Sequence, residues 1–124
     1  MDCCNCGNNN NGHKRKSIDG QEYVEVNGLK WSTMNIGASK ESEDGLYFAW
    51  GEIDGYTRYG KDPSKYKASK CWSNDWNSYK FYNSDTNSLI KYNSQDRKTT
   101  LDLEDDTAYI LWGGKWRMPT KSEI

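Results

Sequence analysis

The stretch Leu103–Thr120, LEDDTAYILWGGKWRMPT, decides how this chain is read. Its first half carries the grammar of a helix. Asp102 just ahead can serve as a cap, and Glu104, Asp105 and Asp106 sit where the unpaired N–H groups of a first turn attract negative charge. Leu103, Ala108, Ile110 and Leu111 supply apolar positions, and Gly113 offers a stop. The second half, KWRMPT, predicts a short extended segment, because Pro119 pushes Met118 out of the helical region. Thr120 and Glu123 then form the pattern of a capping box, which opens a second helix. With only Lys121 to Ile124 after the cap, a helix could not repay its nucleation cost. The expectation is therefore a frayed end from Thr120 to Ile124, in a chain cut off at the start of a helix.

Working outward, the 124 residues allow one domain at most. Six Ile, six Leu, two Val and two Phe fall below the roughly 20% of large apolar residues that marks a well-cored chain. Six Trp and nine Tyr compensate, since each buried aromatic hides on the order of 150 to 250 Å². A small, loop-heavy core built from aromatics follows. The 17 basic and 18 acidic residues give a net charge of -1, so no general field draws nucleic acid or an anionic membrane. No apolar run is long enough for a membrane span, and MDCCNCG at the N-terminus has no apolar core of a signal peptide.

Residues 1 to 20 combine cysteines, an Asn run from Asn8 to Asn11 and the basic patch Lys14-Arg15-Lys16, and read as a flexible leader. Residues 21 to 124 form the domain. It opens on alternating Val24 and Val26, then Asn27-Gly28, then alternating Leu29 and Trp31. Asn-Gly supplies the positive φ angles of a type I′ turn, so a β-hairpin is predicted. LYFAWGE, Leu46 to Glu52, predicts a strand ending near Trp50. Residues 54 to 97 hold only Ala68, Leu89 and Ile90 as aliphatics among many Tyr and Trp, and read as an irregular insertion with one short strand near Ser78 to Tyr82.

Each candidate site has a plainer reading beside it. Asp102, Glu104, Asp105 and Asp106 could offer oxygens to Ca²⁺, but the glycine turn and spacing of a calcium loop are missing, and helix capping explains the acids. Cys3, Cys4, Cys6 and His13 lack the spacers of a zinc site. No metal and no cofactor is assigned. Trp72, Trp76, Tyr79 and Tyr82 could stack on sugar rings or other planar ligands, or could simply pin an irregular loop to an aliphatic-poor core. No nucleophile has a recognisable base beside it, and the single histidine, His13, lies in the leader.

The quoted segments YVEVNGLKWSTMNIGAS, GLYFAWGE and KTTLDLEDDTAYILWGGKWRMPT resemble the Fibrobacter succinogenes major paralogous domain family of Bacteroidota, over about residues 21 to 124. Its WRMPT region is similar to the RLPT-x-x-E segment of formylglycine-generating enzymes and other C-type lectin-like folds. The resemblance implies an α+β, C-type lectin-like fold, with short antiparallel strands, two helices and long irregular loops, represented here by its N-terminal portion. Trp112, Gly113, Gly114, Trp116, Arg117, Pro119, Thr120 and Glu123 are its structural motif. It further implies a non-catalytic module of a surface or secreted protein that binds a glycan or protein ligand. The alternatives are a truncated reading frame without independent function, and an enzyme of the formylglycine-generating type, for which Cys71 is the only cysteine outside the leader.

Overall fold

Two Gly-containing turns start the fold. The computed structural model describes residues 16–73 and 75–124. Asp19 and Gly20 both have positive φ, as do Asn27 and Gly28. Each pair reverses the chain with the twist that antiparallel neighbours need. The result is a three-stranded antiparallel sheet of β1 (Ser17–Ile18), β2 (Gln21–Val26) and β3 (Leu29–Ser32), in that order. Val24 pairs with Trp31 and Val26 with Leu29, the register the alternation predicts. The sheet begins at Ser17, inside the predicted leader, because Ser17 and Ile18 pair with Glu22 and Gln21. Cys3, Cys4, Cys6, His13 and the rest of the leader through Arg15 lie outside the described residues.

The chain divides into two compact units, Met1–Gly45 and Leu46–Ile124. The second unit has little regular structure. β4 (Tyr56–Thr57) pairs in parallel with β5 (Lys70–Cys71), and β6 (Tyr82–Asn83) pairs antiparallel with β7 (Ser88–Leu89). These are two-residue ladders, and with the 3₁₀ turn at Trp76–Ser78 they are the regular elements among the described residues of 54 to 97. Among the described residues the make-up is α+β in the coarse sense, with short strands, one α-helix and single turns of 3₁₀-helix at Trp76–Ser78, Leu103–Asp105 and Lys121–Glu123.

Several predicted elements differ, and each for a local reason. LYFAWGE forms no strand. Tyr47 makes one bridge to Tyr56, and the chain then turns at Gly51, where Glu52 N–H bonds the Ala49 carbonyl. Gly51 has a φ of +85°, and a Cβ there would lie 2.7 Å from Phe81 Cε2, so any side chain would displace that buried ring. Ser78 to Tyr82 is not a strand either. Asp75 accepts the Asn77 N–H at 3.0 Å and winds Trp76–Ser78 into a 3₁₀ turn, leaving only Tyr82 for β6.

The helix does not start at Asp102. The Asp102 carboxylate makes ion pairs with Lys91 and Lys98 in place of a cap. After the 3₁₀ turn Leu103–Asp105, Asp106 takes an extended conformation and caps α1 (Thr107–Trp112), with Gly113 closing it as predicted. The buried face is Thr107 and Ala108, while Leu103, Ile110 and Leu111 are exposed. Asp106 is only 4% exposed. It accepts the Tyr109 N–H at 3.1 Å and the Met118 N–H at 2.9 and 3.1 Å. One carboxylate thus caps the helix and fastens the extended KWRMPT segment alongside it.

In place of a second helix, Lys121–Glu123 forms a 3₁₀ turn, and the end does not fray as expected. Thr120 N–H donates to Glu123 Oε1 at 2.8 Å in capping-box geometry. The Arg117 guanidinium grips both Glu123 oxygens at 2.8 and 2.7 Å. That fork, with the Thr120 N–H, holds the Glu123 carboxyl down to about 2. Trp112 and Trp116 meet edge to face at 5.4 Å, and Trp116 is buried.

Asp106→Ala removes the cap and leaves the Met118 N–H unpaired, which should cost roughly 2–3 kcal/mol. Asp106→Asn keeps an acceptor oxygen and should cost less than half as much. Urea unfolding of both variants checks this, and equal losses would contradict it.

Candidate functional site

The site grows from one buried carboxylate. Asp105, 2% exposed, accepts the Tyr92 hydroxyl at 2.6 Å, the Lys91 ammonium at 2.6 Å and the Lys80 ammonium at 3.3 Å. Burial alone would push its carboxyl up, but these three donors outweigh burial and hold it below the usual range. Tyr92 also accepts the Asp102 N–H at 3.0 Å. Its hydroxyl therefore joins the irregular segment to the turn ahead of α1.

From Tyr92 a line of rings runs outward. Tyr92 meets Phe81 at 5.3 Å, Phe81 meets Tyr79 at 5.8 Å, and Tyr79 meets Trp76 at 5.9 Å, with ring planes at 75° to 88°. Such edge-to-face contacts each add about 0.5–1.5 kcal/mol beyond area burial. Tyr82 leans on Trp76 at 5.7 Å and donates its hydroxyl to Asn87. A second pair, Tyr56 and Trp72, stands at 90° and 5.3 Å.

Glu52 joins the two groups. It is buried, its Oε1 accepts the Tyr56 hydroxyl at 2.7 Å, and its Oε2 accepts the Lys80 N–H at 2.8 Å, next to Phe81. Tyr79 donates its hydroxyl to the Trp50 carbonyl at 2.6 Å, fixing the Trp50-Gly51 turn to the same line.

Between these walls lies a cleft of about 490 Å³, within the size range of small-ligand sites. Trp50, Tyr56, Trp72, Trp76, Tyr79 and Tyr92 line it, together with Glu52, Asp75, Leu89, Lys98 and a few small residues. Trp50 is 45% exposed, Trp72 37% and Trp76 65%. Of the residues anticipated as ligand-binding, Trp72, Trp76 and Tyr79 come together here. Tyr82 does not line the cleft and supports Trp76 from outside it. The motif from Trp112 to Glu123 lies outside the lining and acts in the fold.

Sequence reading missed Trp50, Glu52, Tyr56, Asp75 and Tyr92. Trp50 and Glu52 fall at and just past the end of the predicted strand, and no periodicity marks the others. The usable signal was the concentration of Trp and Tyr beside isolated carboxylates.

Asp102, Glu104 and Asp105 bring carboxylate oxygens within 4.8 Å of one another. Lys91 sits among them at 2.9, 3.3 and 2.6 Å and supplies the positive charge such a group attracts. Cys71 donates its thiol to the Lys61 carbonyl at 2.8 Å and does not line the cleft.

Burial pushes three phenols up, Tyr79 among them, and Tyr56 and Tyr92 furthest. Burial, then the hydrogen bond to Glu52 and the nearby acids, push Tyr56 up to about 12. Burial, then the bond to Asp105, push Tyr92 up to about 12, against the opposing influence of the Asp102 N–H and Lys91. A raised folded value contributes stability that is complete below about pH 10 and lost as pH rises through the folded value. A spectrophotometric titration of the nine tyrosines should show two phenols ionising near pH 12. Asp105→Asn should bring one of them down toward 10, and an unchanged curve would contradict the Tyr92 assignment.

Compared with known protein families, curated proteins and solved structures, the chain matches none.

Proposed function

We propose that the Leu46–Ile124 unit is a non-catalytic ligand-binding or adhesion-type module of a surface or secreted protein, and that the aromatic cleft is its binding site. The resemblance to the major paralogous domain family and its C-type lectin-like architecture motivates the class. The observation that carries it is the cleft itself: Trp50, Trp72 and Trp76, all substantially exposed, share one cavity. Exposing that much indole carries a solvation cost, and a pocket ligand would recover it.

The chemistry of the lining favours binding over catalysis. Both Glu52 oxygens are committed to Tyr56 and Lys80, Tyr79 to a backbone carbonyl and Lys98 to Asp102 at 3.1 Å. No histidine occurs among the described residues. Among them, too, no helix is long and apolar enough to cross a membrane.

Glycan and peptide arrays probed with the full chain test this reading. A hit should weaken about tenfold or more in Trp72→Ala and Trp76→Ala, since a stacked aromatic is worth about 1–3 kcal/mol. Trp76→Ala should cost only about 1–3 kcal/mol of stability, because its ring is largely in solvent and loses only its contacts with Tyr79 and Tyr82. Arrays without a hit, or hits indifferent to both substitutions, would contradict the proposal.

A further inference from the structure

Resting on that reading of the cleft, we propose that its ligand is a small molecule bearing a trialkylammonium group, held by the aromatic walls and the carboxylates beside them. Geometry is the first ground. Tyr56 and Trp72 stand at 90°, and Trp76 and Tyr79 at 75°. A sugar ring stacks best on one flat plate, whereas rings set at right angles make corners that surround a compact group. The negative potential over each ring face then attracts a cation from more than one side.

Charge is the second ground. The lining carries the carboxylates of Glu52 and Asp75 and one ammonium, that of Lys98. Lys98 is paired with Asp102 at 3.1 Å, so the acids of the cleft are not neutralised by it. Asp75 uses one oxygen to cap the Asn77 N–H and is otherwise exposed beside Trp76.

Third, the chain already sets cations against its rings. Lys70 lies 5.4 Å from the centroid of Tyr56, and Lys91 lies 5.2 Å from that of Tyr92. Among the described residues, no such lysine faces Trp50, Trp72 or Trp76. The strongest cation-binding rings of the cleft are thus left to a ligand. A trialkylammonium suits them better than a primary amine, because it sheds its hydration more readily and has no N–H donors to satisfy.

The test compares acetylcholine with 3,3-dimethylbutyl acetate, its neutral carbon isostere, by tryptophan fluorescence titration of the full chain. Acetylcholine should bind about tenfold tighter than the isostere. Trp76→Leu, which keeps an apolar side chain but removes the ring, should erase that preference. Asp75→Asn, which keeps the capping oxygen and removes the charge, should weaken acetylcholine severalfold and leave the isostere unchanged. Equal binding of the two probes would overturn the inference, as would tighter binding of a neutral oligosaccharide. If neither probe binds while an array ligand is lost in Trp72→Ala and Trp76→Ala, the ammonium inference fails and the cleft remains a binding site. If the arrays are also silent, both proposals fail.

Discussion

The Leu46–Ile124 unit depends on the buried Asp105 carboxylate and the three donors that converge on it. A chain with so few aliphatic side chains cannot gather a long irregular segment by hydrophobic contact alone. Lys80, Lys91 and Tyr92 come from that segment, and Asp105 collects them at 2.6 to 3.3 Å beside the start of α1. Removing the carboxylate would take away the acceptor of the half-buried Tyr92 hydroxyl and the shared partner of Lys80 and Lys91, at a cost on the order of 2–4 kcal/mol. The neighbouring Asp106 does the same work on the other side, holding the helix and the extended segment after it. Two adjacent acids thus face in different directions, and the cap falls at the second because the first is already engaged.

The positions of the cleft walls follow from that anchor. Tyr92 bonds Asp105 and touches Phe81, and the ring contacts continue through Tyr79 to Trp76. Glu52 ties the Tyr56–Trp72 pair to the same line through the Lys80 N–H. The exposed indoles are therefore the outer end of a connected structure whose inner end is a charge cluster. Rigid, right-angled rings are what a pre-organised pocket for a compact ligand requires.

Legibility from sequence tracked the range of the interaction. The β2–β3 hairpin was readable because Asn27-Gly28 and the alternation around it are local signals. Asp19-Gly20 carries the same signal and was passed over inside a polar leader. The helix stop at Gly113 was legible, whereas its start was displaced by four residues: Asp102, Asp105 and Asp106 look alike as caps, and only their distant partners tell them apart. Trp72, Trp76 and Tyr79 could be named as site candidates from composition. Glu52 and Tyr92 could not, since their roles rest on contacts 28 and 13 residues away along the chain.

The most direct test follows the Asp105 carboxyl by NMR as pH falls, together with the indole N–H signals of Trp50, Trp72 and Trp76. A carboxyl held below its ordinary value contributes stability that is complete above the unfolded value of about 3.9 and lost as pH falls through the folded one. The expected result is that Asp105 titrates below the ordinary carboxylate range and that the indole signals shift in step with it, as the aromatic line loses its anchor. An Asp105 that titrates like a free carboxylate, or indoles that stay fixed while it protonates, would contradict the dependence of the cleft on this one buried charge.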